Sequence, residues 1–329
     1  MKSKIVYKSF IANHIREHVE LKQSLGYKYI TEAKCLKRFD SFIVEQFPDS
    51  KTITKEIVMK WSEKVTYESE ANRNSRTSMI RQFCIYLRTI GIETYILPKG
   101  YFSKEKQYIP HIYTIDELSH FFNETDKCKV SSECPCRHLI MPLYFRVIYS
   151  CGLRPVEARL LETDHVDLDN GIITIVRSKN DNDRIVPLPD SLLENLREYS
   201  NAVRKILPEN KYFFPGINGK PMTATNTYHN FRRFLWRARI PHGGRGKGPR
   251  IMDFRHTFAC HCLKKWVEEE KDLNAYLPIL KTFMGHYSFS DTAYYLHLTA
   301  DVFPDITIKL EGCYSDLIPT LEGDHNEAN

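Results

Sequence analysis

The chain carries Arg154 in C-G-L-R-P-V-E-A-R-L-L, Lys179 in S-K-N-D-N-D-R-I-V-P-L and Arg255-His256 in D-F-R-H-T-F-A. His286 follows Gly285 and stands nine residues ahead of Tyr295 in S-D-T-A-Y-Y-L-H. Two arginines, a lysine, a histidine and a late tyrosine, in that order over about 140 residues, are the parts needed to break a phosphodiester without a metal. Paired guanidiniums can neutralise non-bridging oxygens. A phenolic oxygen can attack phosphorus and hold it covalently, and an ammonium can protonate the departing oxygen. Each residue also has an ordinary alternative. Arg154 could be a surface arginine at a helix junction, Lys179 a solubilising hairpin tip, His256 a buried structural histidine and His286 a cap. Tyr294 and Tyr295 could both be aromatic core; as helix neighbours they point about 100° apart, so only one can face a phosphate.

These residues need elements to position them. The first hundred positions read as four amphipathic helices. Their apolar rows are Ile11, Ile15 and Val19; Leu36, Phe39, Ile43 and Phe47; Ile57, Trp61 and Val65; and Ile80, Phe83, Leu87 and Ile90. Thr31 suits an N-cap for the second, Pro48 stops it, and Gly91 closes the fourth. Such helices make a small bundle, residues 1–97, decorated by Arg73, Arg76, Arg81 and Arg88. A Pro-, Gly- and Lys-rich stretch, 98–112, reads as a linker. A second domain, 113–310, opens at Thr114 with a capping-box pattern. Helix runs through His138–Ser150 to Gly152. Pro155 and Glu157 then suit the first turn of another helix, which places Arg154 beside a helix N-terminus. Three β-rich runs around 165–168, 172–176 and 184–188 predict a small antiparallel sheet, with Lys179 in its second turn. Helices resume from Ser191. The fold class expected is mainly α (α+β): a helical bundle plus a mostly helical domain with one three-stranded sheet.

Composition bounds the partners. The 329 residues carry a net charge of +6, but residues 1–110 hold 20 Lys+Arg against 12 Asp+Glu. Phe231–Arg255 holds eight basic residues and one acid, and residues 311–329 hold five acids and no Lys or Arg. Separated basic blocks fit a chain that wraps a polyanion, and the acidic end reads as a tail. The nine cysteines are odd in number and scattered, so reduced thiols are expected. Cys128, Cys134, Cys136 and His138 cluster, but without the C-x2-C pairing of structural zinc; no metal is expected. The chain shows no apolar run of membrane length and no signal-peptide core at Met1, so no membrane partner and a cytoplasmic location are expected.

Taken as a set, the motifs resemble the catalytic domain of tyrosine recombinases, the phage-integrase or lambda-integrase family. G-L-R-P-V-E looks like the family's first arginine box and S-K-N-D-N-D-R-I-V-P-L like its β-hairpin lysine. D-F-R-H-T-F-A resembles the second arginine box. The nine-residue step from His286 selects Tyr295 over Tyr294. The resemblance covers about residues 112–300, and residues 1–97 look like the family's core-binding domain. It implies a site-specific recombinase in which Tyr295 forms a 3′-phosphotyrosyl link, with neither metal nor other cofactor. Arg154 and Arg255 would hold the phosphate, Lys179 would protonate the leaving oxygen, His286 would donate to the phosphate, and Glu157 would orient an arginine. Double-stranded DNA clamped between the domains is the implied partner, bound by a homo-oligomer in a tetrameric synapse, with other recombinases of the same element as further partners. Phosphate contacts are expected from Arg73, Arg76, Arg81, Arg232, Arg233, Arg245, Lys247 and Arg250, and a C-terminal plug for a neighbouring protomer from Val302, Phe303, Ile306 and Ile308. Met252 stands where the family usually has a histidine, three residues before the second arginine. A thioether cannot move a proton, and His256, one residue past Arg255, is expected to be turned away. A type IB topoisomerase-like relaxer and a DNA-binding member with decayed catalysis are the alternatives.

Overall fold

The computed structural model describes residues 5–102, 108–131, 134–176, 183–244 and 247–303. The chain divides into two compact units, residues 1–107 and 108–329.

In the first unit, α1 (Ala12–Ser24), α2 (Ile30–Gln46), α3 (Lys55–Trp61) and α4 (Glu70–Thr89) enclose one core built on Ile15, Leu36, Phe39, Ile57, Ile80, Phe83 and Leu87. Each buried side chain of this size contributes roughly 1.5–3 kcal/mol of transfer free energy. Thr54 caps α3 by accepting from the Ile57 amide at 3.3 Å, and Ser69 caps α4 by accepting from the Asn72 amide at 3.2 Å. Two expectations fail at helix ends. Helix α2 starts one residue before Thr31, from Tyr29 in a left-handed conformation at φ 43°. Helix α3 is a short element that ends before Val65, which is 60% exposed.

The second unit contains α5 (Ile115–Asp126), α6 (Arg137–Ser150), α7 (Pro155–Arg159), β1 (Val166–Asp167), β2 (Ile172–Ile175), β3 (Arg184–Pro187), α8 (Asp190–Ile206), α9 (Ala224–Arg237), α10 (Asp253–Glu268), α11 (Leu273–Met284) and α12 (Ser290–Val302). The mainly α class with one small sheet holds. The sheet is antiparallel in the order β1-β2-β3, with Ile173 opposite Val186 and Ile175 opposite Arg184. Its inward positions are Ile173, Ile175, Arg184 and Val186. The capping box at α5 is complete: Thr114 Oγ1 accepts from the Glu117 amide at 3.1 Å, and Glu117 Oε2 from the Thr114 amide at 3.0 Å.

Helix α10 joins two cores. Phe254 faces an aromatic cluster with Phe121, Phe145 and Phe231, whereas Ala259, Cys260 and Leu263 face Leu277, Met284, Tyr295 and Leu296. Residues 108–112, expected in the linker, are instead tied to this helix. Tyr108 Oη donates to Asp253 Oδ2 at 2.6 Å, and Tyr113, just past this stretch, is fully buried with its amide donating to Thr257 Oγ1 at 3.1 Å. At the far end Phe303 packs on its own unit, beside His261 and under the Lys264 ammonium. Here it packs on its own unit rather than standing free; Val302 is 37% exposed, and Ile306 and Ile308 lie outside the described residues.

Candidate active site

The end of α11 organises the site. Gly285 adopts φ +64°, its amide donates to the Thr282 carbonyl, and the His286 amide donates to the Lys281 carbonyl. This closing pattern satisfies two carbonyls and leaves the next three to other donors. Three arginines from three elements take them. Arg184 at the start of β3 donates to Phe283 O at 2.8 Å, Arg255 in α10 to Met284 O at 2.6 Å, and Arg154 before α7 to Gly285 O at 2.8 Å. The negative end of a helix is where cations are most stable.

One carboxylate serves this group. Glu157 Oε1 accepts from Arg154 Nη1 at 2.7 Å, and Glu157 Oε2 accepts from Arg184 Nη2 at 2.8 Å and from the Arg154 amide at 2.8 Å. Burial alone would raise the Glu157 carboxyl, but Arg184 and Arg154 overcome it and hold it at about 2. Arg255 also donates to Gly152 O at 2.6 Å and is only 2% exposed. Burial draws its guanidinium down to about 10, so it stays charged at neutral pH. Among the described residues, three guanidiniums against one carboxylate leave the centre with excess positive charge, the electrostatic complement of a phosphodiester.

Tyr295 on α12 lies against this group, 3% exposed. Its ring stacks on His286 at 5.8 Å between centroids, and His286 Nδ1 is 2.8 Å from Thr292 Oγ1. The phenolic oxygen is 2.9 Å from His256 Nδ1. Burial pushes the phenol up to about 12, with the Arg255 guanidinium working against it. Burial, then Arg255, pulls both His256 and His286 down to about 4, so both rings are neutral at physiological pH. Tyr294, the neighbour, sits edge-on to Tyr295.

Arg154, Glu157, Arg255, His286 and Tyr295 are thus gathered in one place, while Lys179 and Arg245 lie outside the described residues. Two participants escaped the sequence reading. Arg184 was passed over as a strand residue; strand alternation with buried Val186 was the available signal, because a buried cation needs a partner. His256 does not turn away as expected: it contacts the phenol. Met252 is half-buried at the head of α10 and its carbonyl accepts from the His256 amide at 3.3 Å, so the two lie one turn apart on one face.

Among the expected phosphate contacts, Arg76 is a correction. It is 6% exposed, paired with Glu68 at 2.7 Å and bonded to the Trp61 and Glu63 carbonyls, so its charge is spent inside the first unit. Arg73 lies 3.7 Å over the Phe102 ring and Arg81 donates to Leu97 O. Arg232, Arg233, Lys247 and Arg250 are exposed; Arg250 is stacked 3.5 Å over the Tyr108 ring.

Known proteins share this architecture. The phage integrase family model matches residues 113–301. The y4rB protein of Sinorhizobium fredii is 26% identical over 313 residues, 92% of this chain and 97% of that protein. A tyrosine recombinase of Pseudothermotoga lettingae is 26% identical over 268 residues, 80% of this chain and 84% of that one. The crystal structure of the XerH site-specific recombinase in a post-cleavage complex with its palindromic difH substrate superposes with a TM-score of 0.62 at 21% identity, covering 84% of this chain and 78% of that one. The class is that of tyrosine recombinases, enzymes of site-specific DNA recombination. The chain belongs to the phage integrase family.

Proposed function

We propose that Tyr295 is the nucleophile that opens a DNA strand, and that Arg154 and Arg255 hold the scissile phosphate. The observation that carries this reading is the buried group of three guanidiniums with one carboxylate, set against a tyrosine. Preorganised cations stabilise the charge that grows on non-bridging oxygens during attack. His286, neutral and stacked on Tyr295, donates to the phosphate. Lys179 supplies the proton to the leaving 5′ oxygen. Glu157 and Arg184 are positioning residues that fix Arg154. The 3′-phosphotyrosyl bond keeps the energy of the broken bond, so a 5′ hydroxyl from a partner strand can reverse the step without ATP. Double-stranded DNA is the substrate, a tetramer of this chain on DNA is the working assembly, other recombinases of the same element can join it, and the cytoplasm is where it acts. Binding alone is the less favoured reading, since the cation group and Tyr295 sit together; relaxation of supercoils would use the same chemistry, and a relaxation assay that yields no recombinant product would favour it.

The test is covalent capture. The protein is incubated with nicked genomic fragments, and the DNA left attached after denaturation is sequenced to define the site. Tyr295→Phe abolishes the adduct and keeps gel-shift binding, whereas Tyr294→Phe retains it. Adducts that survive Tyr295→Phe would overturn the assignment.

A further inference from the structure

We infer that His256 is a catalytic residue of this chain: its Nδ1 takes the phenolic proton from Tyr295 as the strand is cut and returns it when the strand is rejoined. The inference rests on the role proposed above for Tyr295. Three observations meet here. The His256 Nδ1 to Tyr295 Oη distance is 2.9 Å, within direct proton-transfer reach. Met252, one turn earlier on the same face, offers only a thioether, which accepts no proton of consequence. His256 lies four residues further along, on the same face of α10, and helical side chains lean back toward the N-terminus. On this face of α10 the imidazole is the group in contact with the phenol.

The step balances without any added reagent. The Oη–H bond breaks, its proton goes to His256 Nδ1, the Oη–P bond forms and the P–O5′ bond breaks, with the O5′ atom protonated by the general acid. Rejoining runs each transfer backward and leaves His256 neutral. A neutral imidazole is needed at the start. Burial, with Arg255 and Arg250 nearby, keeps His256 in that form, and an arriving phosphate adds negative charge that favours the imidazolium formed during attack. Arg255 on its own helix, Arg250 just before it, Tyr295 on α12 with Tyr294 and Cys260 beside the phenol, and His286 stacked on the phenol are the titratable and charged groups around the pair.

The experiment measures single-turnover adduct formation on a duplex carrying the captured site sequence, with either an ordinary 5′ oxygen or a 5′-bridging sulfur at the scissile phosphate. Asparagine can keep a hydrogen bond to the phenol but cannot take its proton. His256→Asn is expected to slow cleavage about 10²–10⁴-fold on both substrates, with gel-shift affinity unchanged; His256→Gln, measured alongside, behaves the same way. A sulfur leaving group needs no protonation, so it rescues loss of the acid and leaves loss of the base unrescued. In the parent the rate is nearly flat from pH 6 to 9. In His256→Asn it climbs about tenfold per pH unit, because the phenolate fraction then sets the rate below a phenol value of about 12. Met252→His alone gives no acceleration. A His256→Asn rate within tenfold of the parent, rescue by sulfur, or a pH profile that stays flat would each overturn the proposal. If the parent itself forms no adduct at Tyr295, the underlying reading has failed instead.

Discussion

Glu157 decides where two arginines point. Its side chain is 6% exposed and bonded to both Arg154 and Arg184, so Glu157→Gln leaves the buried Arg184 and the partly buried Arg154 guanidiniums with no counter-charge. Breaking a buried pair in this way costs about 3–5 kcal/mol. Urea denaturation is expected to show that loss, with adduct formation falling alongside it; a variant as stable as the parent would mean that the arginines are held by the α11 carbonyls alone. At this scale the sequence was informative about residue types and poor about partners. Arg154, Arg255, His286 and Tyr295 were legible because their order and spacing form a pattern. Arg184 and His256 were not, because their roles depend on elements distant in sequence: Phe283 lies 99 residues after Arg184, and Tyr295 lies 39 after His256. Arg76 shows the reverse error. A cation counted as surface charge proves to be a clasp between Glu68 and the α3–α4 loop.

The end of α11 is the element on which the site depends. Gly285 is left-handed, and a Cβ there would come within 2.9 Å of Arg184 Nη1. Gly285→Ala combines a backbone cost of about 1–2 kcal/mol with displacement of a guanidinium. The expected result is a lower melting temperature together with weaker adduct formation, whereas Gly91→Ala, whose Cβ meets nothing within 4 Å, pays the backbone cost alone and keeps cleavage. Equal loss of cleavage in both variants would show that Arg184 contributes nothing. Helix existence was readable from apolar periodicity throughout, and the α5 capping box was readable residue by residue. Helix starts were less so: Tyr29 enters α2 through a left-handed turn that no residue preference announces. Residues 108–112 looked like a linker from their composition, but Tyr108 and Tyr113 hold that strand of chain to α10.

At the scale of the molecule, histidines held neutral by burial contribute to the loss of stability in acid. His18 in the first unit and His256 and His286 in the second are each drawn down to about 4 by burial. A group whose folded value lies below its ordinary value of about 6.5 favours the folded state above that pH. The stabilisation is lost as pH falls from 6.5 toward 4, because the unfolded chain binds the protons more readily. Discounted for partial exposure, the second unit's pair is worth on the order of 2 kcal/mol, or about 4–8 °C in melting temperature. Thermal melts at pH 7.5, 6.5, 5.5 and 4.5 check the sign; a transition that stays level down to pH 5 would contradict it. Glu157 adds to the loss only below about 4.5, as its carboxyl begins to protonate in the unfolded chain.

With 3% of Tyr295 open to solvent, the nucleophile proposed above is covered by its own packing. Helix α12 has to shift, or its neighbours part, before any phosphorus can approach the phenol. Cleavage by the proposed nucleophile would require that movement first, ahead of any discrimination among base sequences.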